Sequence, residues 1–132
     1  MKPALHVSLL GVFACVCIAL PAHAADRVRA GQWTGTTTAA GKTYNSSSCM
    51  TSTDAGAMNG DAASIRGYLE KTIPPTICKI SNIRTDGAKV TYTTFCAGGP
   101  ATVITSVYHG DSFETVDTKG TKSSGKRLGP CR

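Results

Sequence analysis

Cysteine is the residue type in this chain with the clearest capacity for chemistry. Six cysteines occur in 132 residues, and their thiols could form disulfides, ligate a metal or act as redox centres. Two of the six lie in an N-terminal apolar run, which leaves Cys49, Cys78, Cys96 and Cys131. These four contain no Cys-x-x-Cys pair, and His109 is the sole histidine after residue 24. We therefore expect structural disulfides, with no metal, no cofactor and no redox role.

A predicted β-hairpin contains the second and third of these cysteines. Two β-rich segments, residues 77–84 and 89–95, flank an Asp-Gly pair, which is a strong signal for a tight turn. Cys78 and Cys96 are equidistant from Gly87. A three-residue loop centred on Gly87, or a bulge in one strand, would place them opposite each other. A strict two-residue turn at Asp86-Gly87 would instead oppose Cys78 to Phe95.

The hairpin favours one of the three connectivities that four cysteines allow. If Cys78 pairs with Cys96, then Cys49 is left to pair with Cys131. That second bridge would close a loop of about 80 residues and contribute on the order of 4 kcal/mol on the chain-entropy model.

Other patterns that could indicate catalysis are weak. His109 lies in a predicted His-Gly-Asp turn with no marked partner. The run from Ser123 to Lys126 matches Ser-x-x-Lys, which in serine acyltransferases opens a helix of a much larger protein, but here it lies in a polar tail. The eight carboxylates are scattered, and no glycine-rich phosphate loop follows a strand. We assign no catalytic residue.

The N-terminus has the pattern of an export signal. Lys2 precedes an apolar run over residues 5–20, and Ala22-His23-Ala24 is an A-x-A cleavage site. We expect a signal peptide over residues 1–24, cleaved after Ala24, and export to the periplasm of a Gram-negative bacterium or secretion. Residues 25–132 then form a single disulfide-stapled β domain.

Apolar alternation and turn residues predict the elements that position the cysteines. Helical periodicity after residue 50 predicts one short helical insert in two pieces, the first capped by Thr51 or Thr53 and the second, residues 62–71, by Asp61. The expected fold is mainly β, a small antiparallel meander of about seven strands that closes as a barrel or packs as a curled sandwich. The predicted strands are residues 30–39, 43–49, 77–84, 89–95, 101–108, 112–118 and 121–128.

The chain is basic, with a formal net charge of +6, or +5 once Lys2 is removed with the signal peptide. Part of the excess lies near the C-terminus, at Lys119, Lys122, Lys126 and Arg127. These charges are spread out without interleaved aromatic residues, so we expect no nucleic-acid partner and mainly a solvated surface. A weak association with anionic envelope surfaces is the functional alternative.

The landmark residues together resemble the exported bacterial proteins grouped as domain of unknown function 3617. The resemblance covers most of residues 29–131, and the C-terminal run with the four cysteines is its most specific part. Family members usually carry Pro and then Glu after Cys-x-Thr, where this chain has Ser52, Thr53 and Asp54. The resemblance implies an exported, cysteine-stapled β domain and assigns no activity. The matching positions are Gly31-Gln32-Trp33, Cys49-Met50-Thr51, Cys78-Lys79, Cys96, Tyr108-x-Gly110-Asp111-Ser112-Phe113-Glu114 and residues 124–131.

These observations favour a periplasmic, non-enzymatic module for binding or protein interaction. A small hydrolase with an unrecognised site and a carrier of a small apolar ligand are the alternatives. The small number of large apolar residues argues against the carrier, because such a chain must fill a core as well as line a cavity. We expect Trp33 to be the largest core residue.

Overall fold

A single antiparallel sheet of seven strands organises the computed structural model, which describes residues 26–132. The predicted signal peptide and its cleavage site lie outside the described residues. The spatial order of the strands is β2-β1-β7-β6-β5-β4-β3, so β2 and β3 are the two edges. The strands are β1 (Gly31–Ala39), β2 (Lys42–Met50), β3 (Cys78–Asp86), β4 (Lys89–Cys96), β5 (Thr102–Tyr108), β6 (Ser112–Asp117) and β7 (Lys122–Gly129).

The prediction of a mainly β fold with about seven strands is confirmed. The sheet is neither a closed barrel nor a two-layered sandwich, because its edge strands β2 and β3 do not pair with each other. Strands β3 to β7 form the expected meander. The hairpin β1–β2 departs from it, since β1 pairs with β7 at the other end of the chain. The N-terminal hairpin is thus added to the last strand of the meander.

The β3–β4 hairpin reaches the expected cysteine register by means of a bulge. Its two-residue turn is Gly87-Ala88, one position later than the predicted turn. A register shift between Ser81 and Arg84, where Asn82 has a φ of 53°, adds one residue to β3. The bulge compensates for the turn and places Cys78 opposite Cys96.

Both disulfides are present, in the connectivity that the hairpin favours. Cys78 is bonded to Cys96 across the β3–β4 hairpin, with a sequence separation of 18. Cys49 in β2 is bonded to Cys131, with a sequence separation of 82. The second bridge therefore joins an edge strand of the sheet to the C-terminal end of the chain.

Two helices, α1 (Ser52–Asn59) and α2 (Ala62–Thr72), connect one edge of the sheet to the other. Their N-caps are as predicted: Thr51 Oγ1 accepts a hydrogen bond from Asp54 N at 3.1 Å, and Asp61 Oδ1 accepts one from Ser64 N at 2.8 Å. Neither helix is long and apolar enough to cross a membrane, within residues 26–132. The predicted helical insert is therefore two short capped helices.

The helices pack against one face of the sheet, which we call the inner face. Ile65 and Leu69 lie one turn apart on α2 and are buried, so this stripe faces the core. Alternate residues of each strand point to the same side. The buried core consists of Val28, Trp33, Ala55, Met58, Ile65, Leu69, Ile80, Val90 and Tyr92.

A glycine in the middle of α2 offers a test of the helix assignment. Apart from the backbone of α2 itself, a Cβ built at Gly67 meets no atom within 4 Å, and glycine costs a helix interior about 0.5–1 kcal/mol relative to alanine. We expect Gly67→Ala to raise the free energy of unfolding by that amount in urea denaturation. Gly60→Ala is the control, because the added Cβ would lie 2.9 Å from Ser64 Cβ. This variant should show no increase in the free energy of unfolding. A destabilised Gly67→Ala variant would contradict a solvent-facing position in α2.

Candidate functional site

A cavity of about 200 Å³ lies between the inner face of the sheet and the two helices. Its walls come from the segment before β1, from four strands and from both helices. Ser48, on edge strand β2, is the one exposed residue of the lining, so the cavity opens to solvent beside β2. The lining residues are Val28, Trp33, Ser48, Met50, Met58, Tyr68, Tyr108 and Phe113.

Three aromatic rings form the sheet side of this cavity. The ring centroids of Trp33 and Phe113 are 6.0 Å apart, and those of Phe113 and Tyr108 are 6.2 Å apart, both in tilted arrangements. Trp33 Nε1 donates to Arg29 O at 3.1 Å, which satisfies its polar atom. The tryptophan is only 5% exposed and belongs to the core, as expected from the sequence. One side of its ring also lines the opening.

The rings can meet because the strand between them carries a glycine. Phe113 on β6 is directly opposite Gly125 on β7, and β7 separates β6 from β1. A Cβ at Gly125 would collide with Cε1 of Phe113. The phenylalanine ring therefore lies over the glycine and extends toward Trp33. This is the structural reason for a glycine in the middle of β7.

The segment before β1 closes the cavity on the helix side. Val28 is 2% exposed, and its backbone pairs with the side chain of Asn59 at the end of α1. Val28 N donates to Asn59 Oδ1 at 2.9 Å, and Asn59 Nδ2 donates to Val28 O at 2.9 Å. The same segment forms a short parallel bridge between Val28 and Gly110. It is therefore held from both sides.

Several of the family landmarks support this segment. Arg29 Nη1 lies 2.8 Å from Asp111 Oδ2, and Arg127 Nη1 lies 3.8 Å from Asp111 Oδ1. Arg127 Nε also donates to Ala30 O at 2.7 Å. Asp111 thus lies between two guanidinium groups that connect the β5–β6 turn, β7 and the start of β1. These residues have a structural role beside the cavity.

The comparison with known families agrees with this assignment of landmarks. A family model described as a protein of unknown function (DUF3617) matches residues 28–131. This chain belongs to the DUF3617 family. No curated protein and no solved structure matches the chain. The matched DUF3617 region contains every residue that lines the cavity.

Three tyrosines of this DUF3617 protein, Tyr68, Tyr92 and Tyr108, are held in the neutral form, and Tyr68 and Tyr108 line the cavity. Burial raises the pKa of Tyr92 to about 12, with further increases from the charges of Tyr108 and Tyr68. Burial likewise raises the pKa of Tyr68 and of Tyr108 above its usual value. At neutral pH the phenols can donate a hydrogen bond and are poor bases. Such phenols provide hydrogen-bond donors at the edge of a mainly apolar site.

Ser123 and Lys126 of the Ser-x-x-Lys match do not come together, whereas His109 and Lys126 line one open surface pocket beside β6 and β7. Ser123 and Lys126 are three positions apart on β7 and so point to opposite faces of the sheet. The Ser123 hydroxyl is 2.9 Å from the Thr37 hydroxyl instead. His109 is exposed in the turn after β5. Among the described residues no group of three or more His, Cys, Asp or Glu could hold a metal ion.

The basic residues near the C-terminus are divided between the two faces of the sheet. Lys122 and Lys126 are exposed on the outer face of β7, and Lys119 lies in the preceding turn. Arg127 points to the inner side, where it bonds Ala30 O and lies near Asp111. The four residues therefore do not form one basic surface.

Sequence reasoning did not find the cavity. The small number of large apolar residues argued against a ligand carrier, and the structure has a cavity of about 200 Å³ beside the core residue Trp33. The helix residues Met58 and Tyr68 are far in the chain from Val28 and Phe113, which also line the cavity. The one available signal was Gly125, a glycine in the middle of a predicted strand.

Proposed function

We propose that this domain is an exported, non-enzymatic binding module whose site is the cavity between the sheet and the helices. The observation that carries the proposal is the combination of an apolar, aromatic lining with an opening beside Ser48. Ligand pockets in proteins are lined mainly in this way, with a few polar groups that orient the ligand. The paired cysteines support the exported part of the proposal, because disulfides persist in oxidising compartments.

The size of the cavity limits the ligand. An apolar cavity of about 150 Å³ is large enough for benzene, so a cavity of about 200 Å³ takes one substituted ring or a short alkyl chain. Trp33 and Phe113 offer ring faces, and the neutral phenols of Tyr68 and Tyr108 offer donors. The ligand class is therefore a single apolar group, either a small molecule or the end of a larger one.

A direct test uses toluene as the probe and methionine methyl groups as the reporters. Met50 and Met58 are the two methionines of residues 26–132, and both line the cavity. In the exported protein with ¹³C-labelled methionine methyls, we expect toluene to shift both signals. Burying a ring of roughly 150 Å² corresponds to a Kd on the order of 1 mM. A comparison of native and denatured masses would also reveal a ligand retained from the cell.

Two variants at neighbouring positions separate binding in the cavity from binding elsewhere. Ser48→Phe places a ring on the inner face at the opening and should weaken toluene binding at least tenfold. Ser47→Phe places the same ring on the opposite face of β2 and should bind as the natural protein does. Methyl signals that stay unchanged at saturating toluene, or equal affinity in the two variants, would refute the proposed site.

A further inference from the structure

The two edges of the sheet differ in how they are protected. An exposed strand edge presents unpaired backbone N–H and C=O groups that can pair with another chain, and natural proteins usually block it. On β3, α2 packs alongside, Arg66 Nη1 donates to Ile80 O at 2.6 Å, and the bulge at Asn82 interrupts the edge. Charged side chains at Lys79 and Arg84 add to this protection.

The other edge, β2, has none of these devices. It is nine residues long, pairs with β1 without a register shift, contains no proline and carries one charge, at Lys42. Residues 42–49 are all exposed. The described part of the chain places no helix, loop or side-chain hydrogen bond on its outward backbone groups. Such an edge is open to pairing with another chain.

The β1–β2 turn identifies which backbone groups are free. The two-residue loop Ala40-Gly41 makes Ala39 and Lys42 a hydrogen-bonded pair, and such pairs then recur at every second residue. Residues 42, 44, 46, 48 and 50 therefore direct their N–H and C=O toward β1. Residues 43, 45, 47 and 49 direct theirs outward.

We propose that β2 is a homodimer interface, in which two copies pair antiparallel along β2 and Tyr44 of each covers the cavity opening of the other. The pairing that overlaps all nine residues is centred on Ser46. It makes the outward groups of residues 45 and 47 hydrogen-bonded partners across the interface. It also brings no like charges together, because Lys42 of one copy lies opposite Met50 of the other.

The position of Tyr44 indicates that the chain pairing with the β2 edge is a second copy of this protein. In the register centred on Ser46, Tyr44 of one copy lies directly opposite Ser48 of the other, with both side chains on the inner face. Tyr44 is 56% exposed in the monomer, so more than half of this large side chain is uncovered, and Ser48 is the exposed residue of the cavity lining. Opposite residues have Cβ atoms about 5 Å apart, so the ring reaches the opening. An exposed ring and an apolar opening on one strand make this edge self-complementary.

Sedimentation of the exported protein tests the dimer. We expect a reversible monomer–dimer equilibrium, with a Kd on the order of micromolar because a strand edge is a small interface. Ser47→Pro removes one outward N–H and should raise this Kd at least tenfold, whereas Ser47→Ala keeps the N–H and should leave it within twofold. Tyr44→Ala should also raise the Kd at least tenfold, and Thr43→Ala, on the opposite face, should not. A monomer at all concentrations, or a dimer insensitive to Ser47→Pro, would overturn the proposal.

A single cysteine tests the register. Ser46 faces its own copy at the two-fold axis, so Ser46→Cys should form an intermolecular disulfide on mild oxidation, with the two native bridges verified by peptide mapping. Asn45→Cys and Ser47→Cys should cross-link at least tenfold more slowly. Faster cross-linking at either of these would refute the register. The dimer covers the site of the proposed function, so toluene binding is also measured on the Ser47→Pro variant, which we expect to be monomeric. A dimer that does not form leaves the toluene shifts intact, whereas an absent cavity site leaves the methyl signals unshifted in this variant too.

Discussion

Arg27→Met is expected to lower the free energy of unfolding by about 3–5 kcal/mol. Arg27 is 5% exposed, although arginine is among the residues least often buried. Its Nε donates to Gly87 O at 2.8 Å, and its Nη1 donates to Met58 O at 2.9 Å and to Gly60 O at 3.0 Å. All three acceptors are backbone carbonyls. One side chain thus joins the start of the described chain to the end of α1 and to the β3–β4 turn.

The size of this effect follows from what the substitution leaves behind. Methionine fills much of the space of the arginine stem but donates no hydrogen bond. It leaves one buried and two partly buried acceptors without their partner, and a fully buried one costs about 1–3 kcal/mol. The Met58 and Gly60 carbonyls also lie at the C-terminal end of α1, where a cation is favourable. Because Arg27 precedes Val28, we expect the same variant to lose toluene binding through movement of a cavity wall.

Arg29→Met is the matched control for Arg27→Met. Arg29 forms a 2.8 Å ion pair with Asp111, and both side chains are at least half exposed. Exposed ion pairs contribute about 0–1 kcal/mol. Urea unfolding followed by Trp33 fluorescence should therefore separate the two variants by at least 2 kcal/mol. Equal losses of unfolding free energy would show that the three hydrogen bonds of Arg27 do not hold the segment before β1 in place.

Removing the Cys49–Cys131 bridge by a double Cys→Ser substitution is expected to cost about 4–5 kcal/mol. The bridge closes a loop with a sequence separation of 82, and the entropy that a cross-link removes from the unfolded chain grows with loop length. Both cysteines are exposed, so little packing is lost with them. A domain of this size has roughly 5–15 kcal/mol of total stability. The variant should therefore unfold at a much lower urea concentration.

The Cys78–Cys96 bridge provides the comparison for that loss. Its separation of 18 residues corresponds to about 3 kcal/mol on the same model. Cys78 is 7% exposed, so its replacement also changes core packing. We expect the Cys49/Cys131 variant to lose more stability than the Cys78/Cys96 variant. The reverse order, with losses differing by more than 1 kcal/mol, would show that loop entropy does not determine how much stability each bridge contributes.

The sequence by itself determined the local structure of this protein. The N-caps Thr51 and Asp61, the strand alternation and the cysteine pairing were all predictable, because each depends on residues a few positions apart or on hairpin register. The strand boundaries agree to within about two residues for the same reason. The bulge in β3 was also one of the two stated routes to the opposition of Cys78 and Cys96.

Only the tertiary structure decided which distant segments meet. The pairing of β1 with β7, the burial of Arg27 beside an exposed Arg29, and the cavity wall formed by Val28, Met58 and Phe113 have no local signal. Each depends on contacts between residues far apart in sequence, and in this chain few large apolar residues mark those contacts in advance. The sheet is open, and two short helices connect its edge strands β2 and β3. The cavity lies between these helices and the sheet, beside the exposed strand β2.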